Sequence, residues 1–119
     1  MSASDRSGER VRLFQGVVYG LRCHCHPLKG LRYVGVSSNL RSRRSDHRGQ
    51  ARRGNSRPVY KWMRKHGVEN IDPVELSIHS TSLEMFEAEI ETIARLRAEG
   101  QDLLNVTEGG EGTMGYRHS

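Results

Sequence analysis

Three short segments of the chain carry apolar side chains in the arrangement of strands that bury one face. They are residues 16–21 (GVVYGL), 31–36 (LRYVGV) and 73–79 (PVELSIH). The connection between the first two contains Pro27 and Gly30, and its short length predicts an antiparallel hairpin. In the third segment, alternation puts Val74, Leu76 and Ile78 on one face. The pattern therefore predicts a small sheet of three strands.

Three further segments have helix-compatible sequences with start and stop signals. They are residues 40–51, 58–66 and 83–99. Asn39 can cap the first helix, Pro58 suits the first turn of the second, and Gly67 can end it. Residues 80–82 can cap the third helix, and Gly100 follows it. The order β-β-α-α-β-α predicts an α+β fold, with a small, mainly antiparallel three-stranded sheet flanked by helices.

The length of the chain predicts one domain, and the composition of its first residues predicts an intracellular protein. The 119 residues are 34% hydrophobic and contain no apolar run that could cross a membrane. We expect residues 1–12 to form a disordered polar tail and residues 13–119 to form a single domain with a glycine-rich C-terminal tail. The first residues contain no apolar signal segment, so we expect a cytoplasmic protein.

Positive charge is concentrated in the middle of the chain. The net charge of the whole chain is +5, whereas residues 38–66 alone hold ten basic residues and one acid, Asp46. Such a segment attracts polyanions, although an ordinary solvated helix face is the alternative. We expect DNA contacts from nine of these cations, namely Arg41, Arg44, Arg48, Arg52, Arg53, Arg57, Lys61, Arg64 and Lys65.

Helical periodicity predicts that one carboxylate of the third helix points toward the protein body. With Leu83 as the origin, the apolar arc covers roughly 200–360°, and Glu89 lies inside it at roughly 240°. Glu84, Glu87 and Glu91 lie outside the arc. Because an unpaired buried carboxylate is costly, Glu89 needs a partner. We expect a metal ion, and the alternative is a buried salt bridge to an arginine.

Two cationic side chains of the first helix and two tyrosines of the hairpin are candidate site residues. Arg43 and His47 lie one turn apart on the sheet-facing side, and a phosphate would fit beside such a pair. Tyr19 and Tyr33 lie next to glycines, which permit the close approach of a ligand or another backbone. In isolation, each tyrosine could be an ordinary core residue.

Several short motifs follow one another over residues 15–112. They are Gly16-Val17-Val18-Tyr19 with Tyr33-Val34-Gly35, Asn39-Leu40 with Arg43 and His47, Tyr60-Lys61-Trp62 with Lys65-His66-Gly67, Ala88-Glu89 with Ile93-Ala94, and Leu104-Asn105 with Gly109-Gly110. Their order resembles that of the GIY-YIG nuclease family. The resemblance implies a small, standalone GIY-YIG endonuclease domain.

Two departures from the family pattern bear on the chemistry. The first signature reads GVVY, with valines in place of isoleucine and one additional residue before Tyr19. Some members carry a histidine near the start of the second helix, where this chain has Gly54-Asn55-Ser56. That role is either absent or filled by His47. We recognise no additional DNA-binding module, which leaves the target specificity open.

The resemblance implies hydrolysis of DNA phosphodiesters at a single divalent-metal site. Glu89 would be the protein ligand of Mg²⁺ or Mn²⁺, because these ions prefer carboxylate oxygen. Arg43 would hold the scissile phosphate and its transition state. Tyr19 would act as the general base, and His47 would accept its proton. Tyr33 would hydrogen-bond the attacking water or the phosphate.

Three other features are expected to be structural. Gly35 and Asn105 would lie near the site, and Asn105 would anchor the closing glycine turn. The run Cys23-His24-Cys25-His26 contains possible zinc ligands. Alternate residues of a strand face opposite ways, so one ion cannot readily take all four, and we expect a hairpin tip.

The leading hypothesis is a metal-dependent DNA endonuclease, associated with the nucleoid of a bacterial or phage-infected cell. The alternatives are a non-catalytic DNA-binding module that retains the fold and a protein that binds RNA. An inward-pointing Glu89 favours the nuclease, because a binding module does not need one. Homing or other phage mobility, restriction and repair of branched DNA all remain open, as do the oligomeric state and the choice between nicking and double-strand cleavage.

Overall fold

The computed structural model describes residues 14–24 and 30–105. The strands are β1 (Gly16–Cys23), β2 (Tyr33–Ser37) and β3 (Ile71–His79), and the helices are α1 (Leu40–Arg52), α2 (Pro58–His66) and α3 (Ser82–Ala98). A short 3-10 turn, Val68–Asn70, leads into β3. This order is the predicted β-β-α-α-β-α succession. The polar tail over residues 1–12, the glycine-rich tail, and Cys25 and His26 lie outside the described residues.

The three strands form one antiparallel sheet of order β2-β1-β3, with β1 in the centre. The predicted hairpin of β1 and β2 is confirmed, and its register sets Tyr19 opposite Gly35. The same register sets Leu21 opposite Tyr33, so both tyrosines belong to one face of the sheet. On the other side of β1, a β-bulge next to Val18 shifts the pairing with β3. The predicted α+β fold is therefore confirmed.

Different helices cover the two faces of the sheet. α1 and α2 pack on the face that carries Tyr19, in a core that includes Met63. α3 packs on the opposite face, where Val18 and Ile93 are fully buried. Neighbouring residues of β1 enter different cores because successive strand side chains point to opposite faces.

Side-chain caps determine where α1 and α3 begin. The Asn39 side chain accepts a hydrogen bond of 3.1 Å from the Ser42 amide. Thr81 caps α3 in the same way, at 3.1 Å from the Glu84 amide. These caps fix the helix starts and thus which side chains face the sheet. Within the described ranges, no helix is long and apolar enough to cross a membrane.

The buried side of α3 is narrower than the apolar arc predicted from the sequence. Met85, Glu89 and Ile93 are buried against the sheet. Leu83 and Ile90 also belong to the predicted arc, yet they are 66% and 44% exposed. The inward orientation predicted for Glu89 is confirmed, because its side chain is 2% exposed.

Candidate active site

The hydroxyl of Tyr19, on β1, contacts two side chains of α1. Tyr19 is fully buried, and its oxygen lies 2.6 Å from Nε2 of His47. The same oxygen accepts a hydrogen bond of 3.2 Å from Nε of Arg43. Arg43 and His47 are four residues apart in a helix, so they lie on one face and both reach the sheet. Strand pairing and helix packing together fix the phenol.

Gly35 makes room for the Tyr19 side chain. A Cβ atom at Gly35 would lie 2.7 Å from the Tyr19 hydroxyl oxygen and 3.1 Å from Cε2 of Tyr33. The hydroxyl oxygen is held by two other side chains and cannot easily move aside. The close approach of Tyr19 to the β2 backbone therefore requires glycine at this position.

Two more tyrosines surround the imidazole of His47. The ring centroids of Tyr33 and Tyr60 lie 5.6 and 5.7 Å from that of His47. Tyr33 meets the imidazole edge-on, at 78°. The sequence analysis cites Tyr60 within a motif but not as a site residue. Its contact with His47 depends on how α2 packs beside α1, which the spacing within one helix does not reveal.

Burial keeps both Tyr19 and His47 uncharged. It raises the pKa of Tyr19 to about 12, while the nearby Arg43 guanidinium acts in the opposite direction. Burial also lowers the pKa of His47 to about 3, and the charge of Arg43 adds to this shift. With both groups neutral, the hydroxyl can donate to Nε2, which leaves the imidazole proton on Nδ1. Nδ1 has no hydrogen-bond partner among the described residues.

Glu89 belongs to α3, on the other face of the sheet. Its charge nevertheless acts on the phenol, since it contributes with burial to the raised pKa of Tyr19. The described residues contain no group of three or more histidine, cysteine, aspartate or glutamate side chains that could hold a metal ion. A metal at Glu89 would thus have at most two such side chains of the described residues as ligands, which leaves several positions for water and phosphate. This donor set suits Mg²⁺, which usually keeps part of its water shell.

Asn105 is hydrogen-bonded to Val34 of β2, which lies between the site residues Tyr33 and Gly35. Its Oδ1 accepts a hydrogen bond of 3.0 Å from the Val34 amide, and its Nδ2 donates to the Val34 carbonyl at 2.8 Å. Asn105 is buried. Its expected position next to the site agrees with this contact, while the glycine turn after it lies beyond the described residues.

Three of the nine predicted DNA-binding cations form ion pairs with acids at the start of β3 and in the 3-10 turn before it. Arg48 binds Asp72 at 3.2 Å and is only 15% exposed. Arg44 pairs with Asp72 at 3.3 Å, and Arg52 pairs with Glu69. Because these arginines follow one another at four-residue intervals, they form a row of ion pairs that joins α1 to β3 and to the 3-10 turn before it.

The other six cations are exposed. Arg64 donates to the Ala51 carbonyl at 2.9 Å. None of the six forms an ion pair within the described residues, and five also form no side-chain hydrogen bond there, namely Arg41, Arg53, Arg57, Lys61 and Lys65. In the cysteine–histidine run, His24 is exposed and pairs with Asp72.

A comparison with models of known protein families gives a match. The family model for the GIY-YIG catalytic domain matches residues 15–102 of the 119-residue chain. The searches of curated proteins and of solved structures returned no match. The matched segment covers the whole sheet, all three helices, and Tyr19, Arg43, His47 and Glu89. The chain therefore belongs to the GIY-YIG nuclease family and carries the catalytic domain of that family.

Proposed function

We propose that this protein is a DNA endonuclease that hydrolyses phosphodiester bonds with the help of one divalent metal ion, Mg²⁺ or Mn²⁺. The observation that carries the proposal is the hydrogen-bonded unit of the buried Tyr19 and His47 with the partly exposed Arg43, within a nuclease-family domain. A tyrosine that serves only to pack does not need a neutral histidine and a cation on the same oxygen. This arrangement favours a chemical role.

Tyr19 and His47 together would activate the attacking water. The Tyr19 oxygen takes a proton from the water while its own proton passes to Nε2 of His47, over the 2.6 Å that separates the two atoms. A pKa of about 3 makes the free imidazole a weak base. The negative charge of a bound phosphodiester would raise that pKa and favour the transfer. Tyr33, which is half-buried next to His47, would hydrogen-bond the water or the phosphate.

Arg43 would couple phosphate binding to the exposure of Tyr19. In the free protein its Nε donates to the buried Tyr19 hydroxyl, while its side chain remains 37% exposed. A phosphate competes for the same guanidinium and forms stronger, charge-assisted hydrogen bonds. When Arg43 turns toward the phosphate, one lone pair of the Tyr19 oxygen becomes available to water.

Glu89 would hold the metal ion, with water and phosphate completing its coordination. When bound, the ion would stabilise negative charge on the phosphate and on the leaving oxygen. The buried carboxylate of Glu89, whose charge acts on Tyr19, supports this position. Gly35 and Asn105 would hold β2 in the shape that the site requires.

The exposed cations of residues 38–66 would bind the DNA backbone without reading bases. All nine predicted cations remain candidates. The strongest are the five whose side chains have neither an ion pair nor a hydrogen bond within the described residues, because a phosphate does not have to displace another acceptor from them. A non-catalytic protein that binds DNA or RNA through this surface is the alternative, and it would not need the Tyr19–His47 unit.

A nicking assay separates these possibilities. Supercoiled plasmid and branched DNA are incubated with the protein in Mg²⁺, in Mn²⁺ and in a chelator. The proposal expects cleavage in either metal, none in the chelator, and cleavage by Tyr19→Phe with Mg²⁺ that is at least roughly 10²-fold slower than by the wild type. Binding of both DNAs without cleavage under every condition would favour the binding module. Cleavage of an RNA substrate instead of DNA would assign a different substrate.

A further inference from the structure

The only acid among residues 38–66 lies beside the arginine that would hold the scissile phosphate. Asp46 belongs to α1, which also carries five arginines. Helix side chains meet when they are three or four positions apart, and Arg43 is the only one of the five at that spacing from Asp46. Oδ2 of Asp46 lies 4.0 Å from Nη1 of Arg43. The single negative charge of this basic segment therefore acts on Arg43.

A guanidinium can bind an oxyanion through a pair of N–H groups on either of two edges. The side edge contains Nε and one Nη group, and the outer edge contains both Nη groups. The side edge of Arg43 donates from Nε to the Tyr19 hydroxyl at 3.2 Å, and its outer edge faces the Asp46 carboxylate. A phosphate that binds Arg43 through two N–H groups thus has to replace one of these two neighbours.

The two edges differ in access and in what their occupation does to Tyr19. Tyr19 is fully buried, whereas the Asp46 side chain is 65% exposed, so access alone favours the outer edge. A phosphate on the outer edge leaves the hydrogen bond from Nε to Tyr19 intact. The Tyr19 oxygen then keeps both of its partners, Arg43 and His47. This mode of binding holds the DNA without making the general base available to water.

We propose that Asp46 is a positioning residue that keeps the phosphate off the outer edge of Arg43. The proposal rests on the proposed nuclease function and on the role of Tyr19 in it. A separation of 4.0 Å is too long for a direct hydrogen bond, so the carboxylate acts through its charge. It repels a phosphate most strongly at the nearer, outer edge. The phosphate therefore binds at the side edge, where it replaces the Tyr19 hydroxyl and makes that oxygen available to water.

Asp46→Asn tests this role because it removes the charge and keeps the size of the side chain. Without the repulsion, part of the DNA binds at the outer edge and does not react. Such unreactive binding lowers the DNA concentration at half-maximal rate and the maximal single-turnover rate by the same factor. We expect both to fall by at least about threefold, with their ratio unchanged. Asp46→Glu keeps the charge and should behave like the wild type.

Damage to the fold would give a different result, because it lowers the cleavage rate without tightening the binding of DNA. The melting temperature of Asp46→Asn should equal that of the wild type, since exposed ion pairs contribute little to stability. Asp102→Asn is the matched control for the change in net charge. Asp102 is also exposed and also pairs with an arginine, Arg32, at 3.5 Å. Its variant should keep the wild-type maximal rate.

Binding measured without cleavage separates this proposal from the proposed function. In a chelator, Asp46→Asn should bind duplex DNA at least about threefold more tightly than the wild type. In an Arg43→Ala background, the same substitution should tighten binding no more than Asp102→Asn does. If the wild type does not cleave DNA, the proposed function is wrong, and this comparison still shows whether Asp46 keeps DNA phosphates from Arg43.

Two results would overturn the role of Asp46. One is that Asp46→Asn tightens DNA binding equally with and without the Arg43 side chain, which would make its effect a general one of net charge. The other is that Asp46→Asn leaves either the DNA affinity or the maximal cleavage rate at the wild-type value.

Discussion

The hydroxyl oxygen of Tyr19 and Nε2 of His47 lie 2.6 Å apart, although 28 positions separate the two residues in the sequence. Both atoms are buried, and the hydroxyl accepts its second hydrogen bond from Arg43. In such surroundings, a proton that leaves Tyr19 has one short route, which ends on the imidazole. The functional predictions begin with this pair.

Substitution of either member of the pair should reduce the cleavage rate by about the same factor. Tyr19→Phe and His47→Ala should each slow single-turnover cleavage by at least roughly 10²-fold, the usual contribution of general-base catalysis. The double variant should be little slower than either single variant, because residues that act as a unit give non-additive losses. The measurement is the cleavage rate of all three variants at saturating DNA and Mg²⁺.

DNA affinity serves as the control and should not change in any of the three variants. Tyr60→Phe removes a hydroxyl from the neighbouring ring and should slow cleavage much less, because the proposed proton route does not use it. If the losses of the two single variants multiply in the double variant, Tyr19 and His47 act independently and the relay is wrong.

Glu89→Gln should abolish metal-dependent cleavage and leave DNA binding largely intact. The amide keeps the size of the buried side chain but removes the negative charge that would hold a divalent ion. Glu87→Gln is the matched control, since Glu87 is an exposed residue of the same helix. Cleavage at the wild-type rate by the Glu89 variant would assign the carboxylate to a structural ion pair instead.

Arg53→Ala and Lys61→Ala should each weaken DNA binding and reduce its salt dependence. The slope of log K against log salt should fall by about 0.9 for each phosphate contact that is lost. Arg52→Ala should have a smaller effect, because Glu69 already neutralises that cation. The control is Arg22→Ala, at an exposed position of β1, which should leave DNA binding and its salt dependence unchanged. If the wild type and both variants have equal slopes, these two residues do not belong to the DNA-binding surface.

Acid should destabilise the fold through His47. Its pKa is about 3 in the folded protein and 6.5 when unperturbed, so the unfolded chain binds more protons between these values. The free energy of unfolding attributable to this residue should therefore rise with pH across that window, by at most about 1.4 kcal/mol per pH unit, and level off above it.

His47→Gln should remove this part of the pH dependence. Urea unfolding of the wild type and the variant, repeated at several values between pH 4.5 and 7.5, measures the difference. His79→Gln, on β3 and away from Tyr19, should keep the wild-type slope. A wild-type slope in the His47 variant would show that other groups cause the acid sensitivity.

The sequence predicted most features that depend on local periodicity. The order of the elements, the hairpin and the burial of Glu89 follow from spacings of two and of about 3.6 residues. The spacing did not indicate that Leu83 and Ile90 are exposed, because an apolar arc shows which side of a helix avoids water and not how much of it the sheet covers. The ion pairs of Arg44 and Arg48 depend on where β3 lies, which no local pattern contains.

The two hydrogen bonds between Asn105 and Val34 bear on how short a working fragment of this protein can be. β2 is an edge strand, and the outward amide and carbonyl of Val34 are the groups to which a foreign strand would attach. The Asn105 side chain occupies both groups as a further strand would. A fragment that ends before residue 105 would leave the amide and carbonyl of Val34 unpaired at the sheet edge, next to Tyr33 and Gly35, where another strand can pair with them. Its loss of activity would then reflect aggregation rather than the removal of a chemical group.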